Sequence, residues 1–200
     1  MKARNLLATA GALLASIFLA QPAEPQDLDF IRALERAQAQ RPQALSSVAR
    51  IAPEGEPGTP LVIHGRVVGS DGQSATAGAV VFAYHTDREG LYDQRSAGPH
   101  SWRLRGWVRT DAEGRFEFRT MRPGSYPSRS VPAHVHFTVF HNGSRFHAGE
   151  LRFADDPLVS PREQSASERA GNFGAVRPVR QAKGVQHVDF AIRLDAGEKF

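Results

Sequence analysis

An all-β sandwich with a short helix at its N-terminus is the fold this sequence predicts. Seven short runs alternate apolar and polar residues with a period of two, and turn signals separate them. The 200 residues also include 18 Gly and 13 Pro, which suit a chain that reverses often. The runs are Leu61 to Val68, Gly78 to His85, Gly106 to Arg109, Arg115 to Thr120, Ala133 to Phe140, Gly149 to Phe153 and Gln186 to Leu194. Strands this short and this evenly spaced favour two packed sheets, and 40% hydrophobic content suffices for one well-buried domain.

Taken in order, the chain opens with an address. Lys2 and Arg4 precede a mostly apolar run, Leu6 to Ala20, and then a polar segment containing Pro22. Residues 1–23 therefore read as a secretory signal cut after Ala20 or Ala23. The expectation is export to the periplasm or the medium, with no membrane contact after cleavage; an uncleaved leader would instead serve as an anchor. The chain has no cysteine, so only nitrogen and oxygen donors are open to a metal.

Residues 24–60 read as a helix and a linker. From Pro25 to Arg41, Leu28, Ile31, Leu34 and Ala37 recur at three-residue spacing, Asp27 can cap and Pro42 can stop the helix. Its apolar stripe either lies on the domain or forms a homodimer contact. Ala49 to Pro60 has no period and reads as linker. Residues 61–200 form the sandwich, with turns at Ser70-Asp71-Gly72, Asp111-Ala112-Glu113-Gly114 and Asn142-Gly143. Two long irregular segments interrupt it, Thr86 to Arg105 and Asp155 to Gly184; loops of this length in a compact domain are usually functional or disordered. The formal net charge is +4. Its arginines are scattered and form no basic block, so a nucleic-acid partner is not expected.

The chemistry concentrates in Pro123 to Phe140, PGSYPSRSVPAHVHFTVF. In a strand, His134 and His136 share one face while Val135, Phe137 and Val139 share the other. Pro123, Gly124 and Pro127 hold Tyr126 in a stiff turn just upstream, and Tyr92 lies in the first long loop. Phenolate suits a strongly acidic, oxygen-loving ion such as ferric iron, whereas zinc more often takes Cys, His and carboxylate. Each residue also has a structural explanation: a packed tyrosine with a bonded hydroxyl, and an H-x-H pair on the polar face of a half-buried strand. His64, His85, His100, His141, His147 and His187 read as structural or surface residues.

A set of motifs joins these donors in order: Gly78-Ala79-Val80, Asp87 to Tyr92 (DREGLY), Arg105-Gly106, Thr110 to Gly114 (TDAEG), Phe116 to Thr120, Pro123 to Pro127 (PGSYP), Pro132 to Phe137 (PAHVHF) and Phe153 to Leu158 (FADDPL). From Val62 to Leu158 this succession resembles the intradiol ring-cleavage dioxygenases, the catechol and protocatechuate 3,4-dioxygenase type. The resemblance implies a non-haem Fe(III) centre on a β-sandwich, with Tyr92 and His134 as equatorial and Tyr126 and His136 as axial ligands. It also implies a catechol dianion that displaces Tyr126, proton uptake by the freed phenolate, and O2 whose two atoms end in a cis,cis-muconate-type diacid.

Two positions depart from the family. Val131 stands where an Arg usually precedes Pro-Ala-His, and Glu150 stands where a Gln is usual. Arg129 is the nearest candidate to replace the missing charge, with an arginine of Trp102 to Arg109 as the alternative; Tyr84-His85, where Trp-Gln is common, keeps an aromatic ring. Arg95, Arg103 and Arg105 could meet a substrate carboxylate, or lie at the surface. Three readings stay open: a ring-cleaving dioxygenase, an iron-binding relative with weak or no ring cleavage, and a non-enzymatic sandwich. The last rests on segments such as Gly65-Arg66-Val67-Val68 and Gly114-Arg115-Phe116, which also resemble carboxypeptidase-regulatory-like and transthyretin-like modules. The choice of catechol and the role of residues 160–184 are not legible.

Overall fold

The computed structural model describes residues 28–92 and 102–194. The expected signal over residues 1–23, the first residues of the expected helix, and Arg95 and His100 of the first long loop lie outside them.

Two five-stranded sheets face each other. The first runs in the order β1 (Val48–Arg50), β5 (Arg115–Met121), β2 (Pro60–Val68), β10 (Val185–Arg193), β9 (Arg180–Ala182). The second runs β4 (Leu104–Arg109), β3 (Val80–His85), β6 (His134–His141), β7 (Ser144–Phe153), β8 (Val176–Arg177). Their inner faces supply the core: Ile63, Val67, Phe118, Val81, Val135, Phe137, Val139, Leu151, Phe153 and Val188 are all fully buried. In β2 and β5 of the first sheet the alternation read from the sequence is the alternation of core and solvent, whereas β3 of the second sheet is buried on both faces. Asn142 and Gly143, both at positive φ, close the β6–β7 hairpin at the Asn-Gly turn the sequence predicts.

The outer face of the second sheet carries α1 (Leu28–Ala39). Ala33, Leu34 and Ala37 pack there with Val80, Phe82, Tyr84, Trp102 and Trp107 as a second apolar cluster. The helix thus lies on its own domain. Among the described residues no helix is long and apolar enough to cross a membrane.

Two expectations are corrected. The linker assigned to Ala49 to Pro60 begins inside the fold, because Val48–Arg50 pairs in parallel with β5 and Ile51 and Ala52 are buried. A three-residue strand is too short to show a period. The irregular segment Asp155 to Gly184 contains α2 (Pro161–Ala170), a 3-10 turn at Gly171–Phe173, β8 and β9. The signal for α2 was present: Ser160 accepts from the Glu163 N–H, the Glu163 carboxylate accepts from the Ser160 N–H, and Pro161 opens the first turn.

Candidate metal centre

β6 places His134 and His136 on the outer face of the second sheet, while Val135 and Phe137 fill the core behind them. The strand start is pinned by Asp156, whose Oδ2 accepts from the Ala133 N–H at 2.9 Å. His134 donates from Nδ1 to the Pro132 carbonyl, 2.7 Å away, which leaves the Nε2 lone pair facing outward. His136 stacks on Tyr84, its neighbour on β3, with ring centroids 4.6 Å apart. Tyr84 stacks in turn on Trp102 at 4.0 Å. Here lies the use of the aromatic at Tyr84: it fixes the plane of His136.

The tyrosines come from two loops that are fastened to each other. Asp87 organises the first, its Oδ1 accepting from the N–H groups of Glu89 (3.0 Å) and Leu91 (2.9 Å). Its carbonyl accepts from the Gly124 N–H at 2.8 Å, and the Thr86 hydroxyl donates to the Gly124 carbonyl at 2.8 Å. Gly90 has φ +82°, and a Cβ there would stand 1.9 Å from the Ser125 carbonyl oxygen. Only glycine lets the two backbones approach this closely.

These pieces bring Tyr92, Tyr126, His134 and His136 together. The two phenol oxygens are 2.6 Å apart, Tyr92 is 2.9 Å from His136 Nε2, Tyr126 is 3.1 Å from His134 Nε2, and the two Nε2 atoms are 3.0 Å apart. The four donors form a closed ring. Donors at right angles around one ion at ~2.1 Å lie about 3 Å apart, so the ring has the dimensions of a single-ion site. Burial pushes the Tyr92 phenol far above its ordinary range, and its hydrogen bond to Tyr126 adds to this. Burial also raises Tyr126, but the same hydrogen bond works in the opposite sense there. Tyr126 is thus the oxygen that gives up its proton more readily, and both phenols need a nearby cation to ionise.

Two further residues share this face: Glu150, which the sequence singles out as a departure from the family, and Arg152, which sequence reasoning missed. β7 sets Glu150 opposite His136 and Arg152 opposite His134. Glu150 Oε1 lies 3.5 Å from His136 Nδ1 and 4.0 Å from His134 Nε2, while Oε2 accepts from Arg152 Nη2 at 2.7 Å. Burial opposes ionisation of Glu150; the Arg152 hydrogen bond and the charges of His134, His136 and Arg152 outweigh it and hold the carboxyl below its usual range. Arg152 could have been found as the residue two beyond Glu150 on the same strand face.

The expected cation does not join the cluster. Val131 is half-buried, and Arg129 is exposed at φ 50°, its N–H donating to the Tyr126 carbonyl at 2.7 Å. Its guanidinium meets no hydrogen-bond or ion-pair partner among the described residues. Arg103 is bonded to Glu56 at 2.6 and 2.8 Å, and Arg105 to the Trp102 carbonyl and Gln40. His85 keeps the structural setting expected of it, fully buried between the Thr86 carbonyl and the Thr120 hydroxyl, each 2.7 Å away.

The sequence model of a family described as Dioxygenase matches residues 36–196. Catechol 1,2-dioxygenase 1 of Acinetobacter lwoffii is 36% identical over 118 residues, 50% of this chain and 38% of its own length. Catechol 1,2-dioxygenase 2 of the same organism is 32% identical over 68% of this chain and 53% of its own. 6-Chlorohydroxyquinol 1,2-dioxygenase of Cupriavidus pinatubonensis is 30% identical over 70% and 55%. The chain spans about half the length of the curated relatives it matches. Among solved structures, the dioxygenase domain of a dioxygenase–carbohydrate-binding fusion from Streptomyces sp. SirexAA-E is similar, with a TM-score of 0.58 and 24% identity over 77% of this chain and 91% of that one. An intradiol ring-cleavage dioxygenase from Tetranychus urticae has a TM-score of 0.58 and 19% identity, covering 80% and 91%. At these identities the structures establish a shared fold.

Proposed function

Since this chain belongs to the intradiol ring-cleavage dioxygenase family, we propose that it cleaves a catechol-type aromatic ring between its hydroxyls with O2, at a non-haem Fe(III) centre held by Tyr92, Tyr126, His134 and His136. The observation that carries this reading is the closed ring of four donors with gaps of 2.6 to 3.1 Å. The donor chemistry fits a ferric ion: two phenols that ionise only beside a strong cation, and two Nε2 atoms 3.0 Å apart, of which that of His134 turns its lone pair outward from the sheet toward the other donors. Bound there, iron would supply Lewis acidity toward the catechol oxygens and so make the ring reactive toward O2.

The protein's own part is positioning and proton transfer. His134, locked by Pro132, and His136, locked by Tyr84, keep fixed orientations. Tyr126 sits on a turn with one exposed flank at Pro127, Ser128 and Arg129, so it is the ligand placed to leave and accept a substrate hydroxyl proton. The Tyr92 oxygen lies 2.6 Å from the Tyr126 oxygen, next to the position where that proton is lost and regained. Arg129, on the same turn, is assigned to anionic charge developing on the substrate. The leader read in residues 1–23 extends the proposal to export of the mature domain. The reading is tested by oxygen uptake with catechol. One O2 consumed per ring, with a ring-opened diacid as product, supports it; no uptake by the iron-loaded protein refutes it.

One observation favours a second reading, a relative that binds iron but turns over slowly. Glu150 puts a carboxylate 3.5 Å from His136, where it opposes arrival of a dianionic substrate. In that case the iron signature is present and uptake is absent.

A further inference from the structure

The register of β7 has a consequence for metal choice. His136 pairs with Glu150 but Thr138 pairs with His147, so β7 uses one residue more than β6 between these points. Gly149, at φ +74°, takes up the extra residue as a bulge. In a regular strand the residues opposite His136 and Thr138 would be two apart and share a face; here they are three apart, and the bulge turns Glu150 back onto the histidine face. There its two oxygens have different tasks. Oε2 is bonded by Arg152 through Nε at 3.1 Å and Nη2 at 2.7 Å. Oε1 is left facing His136 Nδ1 and His134 Nε2, at 3.5 and 4.0 Å.

Charge counting points the same way. Arg152 also bonds Glu163 at the head of α2, so one guanidinium is shared between two carboxylates beside the two imidazoles. A donor atom each from His134, His136 and Glu150 lie within 4.8 Å of one another. Two imidazoles and one carboxylate are the donor set of divalent first-row ions. Unlike the phenols, a carboxylate arrives already charged at neutral pH.

We propose that Glu150 is a metal-directed carboxylate, and that His134, His136 and Glu150 form a second, tyrosine-independent donor set that takes a divalent first-row cation such as Fe2+, Mn2+ or Zn2+ at this centre. The inference shares its histidines with the ferric reading but not its tyrosines or its oxidation state. The centre therefore has two anionic sides, phenols for a trivalent ion and Glu150 for a divalent one.

The test compares the metal-free full chain with Glu150→Gln and with the double variant Tyr92→Phe/Tyr126→Phe. Zn2+ affinity is measured by competition with a chelator, and Co2+ binding by its visible absorption. Glu150→Gln is expected to weaken Zn2+ tenfold or more and to change the position and intensity of the Co2+ bands. The double tyrosine variant should stay within about threefold of the parent. Three results overturn the proposal: Zn2+ affinity unchanged in Glu150→Gln, affinity lost in the tyrosine variant, or weaker binding in Glu150→Gln with the Co2+ bands unaltered, which makes Glu150 a partner of the His136 ring only. Should Glu150→Gln melt early, Glu150→Asp serves, since it keeps the charge and must keep the tyrosine-independent site. The two readings fail separately. A parent without ferric colour whose Zn2+ binding needs Glu150 refutes the ferric reading alone, and a parent with ferric colour whose Zn2+ binding ignores Glu150 refutes this one alone.

Discussion

Tyr126 and Arg129 sit three residues apart on one exposed turn, and the proposed reaction asks different things of them. Tyr126 is joined to both Tyr92 and His134, so its oxygen is tied to the ring by two contacts and its proton has somewhere to go. Arg129 is exposed and stands outside the donor ring, so the role proposed for it rests on its charge alone. Arg129→Ala is predicted to lower kcat/KM on catechol about tenfold or more with iron content unchanged, and steady-state kinetics with an iron assay checks it; an unchanged rate removes Arg129 from the mechanism. His85 gives a prediction of another kind. Burial keeps it neutral and pulls its pKa down to about 4, while the unfolded chain takes up the proton near pH 6.5. The stability tied to the neutral ring is complete above pH 6.5 and is lost as pH falls toward 4, by roughly 3 kcal/mol. Urea melts between pH 4 and 7 should show a flatter profile for His85→Leu than for the parent; equal slopes contradict the assignment. At this scale the two histidines and two tyrosines were legible, because each is local: an i, i+2 pair and a Pro/Gly turn. Glu150 was legible as a departure from the family but not as a neighbour of both imidazoles, since its direction depends on a bulge that no period of two reveals.

The elements decide whether those residues meet. Tyr92 and Tyr126 lie 34 residues apart, and what joins them is backbone contact between the Asp87–Leu91 turn and Gly124–Ser125. Gly90 is the narrowest point of that contact. Gly90→Ala adds a left-handed strain of roughly 1–2 kcal/mol to the collision with the Ser125 carbonyl. We predict a melting temperature at least ~4 °C lower and loss of ferric colour even where the sandwich remains folded by circular dichroism. Retained colour in a well-folded Gly90→Ala would show that the two loops are held by something else. The helix α2 shows how an element can be missed: its capping box and Pro161 were in the sequence, but the Ser- and Arg-rich stretch around them lacks an apolar stripe. Only Ser167 of α2 is buried. The helix is placed by polar contacts more than by a hydrophobic face: Glu163 with Arg152 at its head, and the buried Ser167 hydroxyl bonded to both the N–H and the carbonyl of Val176 on β8.

The whole molecule divides its two sheets by task. The first sheet turns an outer face of mixed charge to solvent, with Arg66, Glu117, Arg119, Asp189 and Arg180 along it, and His64 beside His187 at 3.1 Å. The second carries both the aromatic cluster under α1 and the donor ring, so Phe82, Trp102 and Tyr84 lead directly from helix packing to His136. The sandwich itself followed from period-two runs, whereas parallel pairings such as β1 with β5 and β2 with β10 join segments too far apart for any local pattern to announce. The central claim is that four side chains from three segments hold one ferric ion. It is tested most directly by the visible absorption spectrum of the ferric-loaded protein beside Tyr126→Phe. Phenolate bound to ferric iron absorbs in the visible by charge transfer, so the parent should be coloured, the variant's band should weaken or move, and added catechol should shift the parent's band again. A parent that binds ferric iron and stays colourless, or a band indifferent to Tyr126→Phe, would contradict the account.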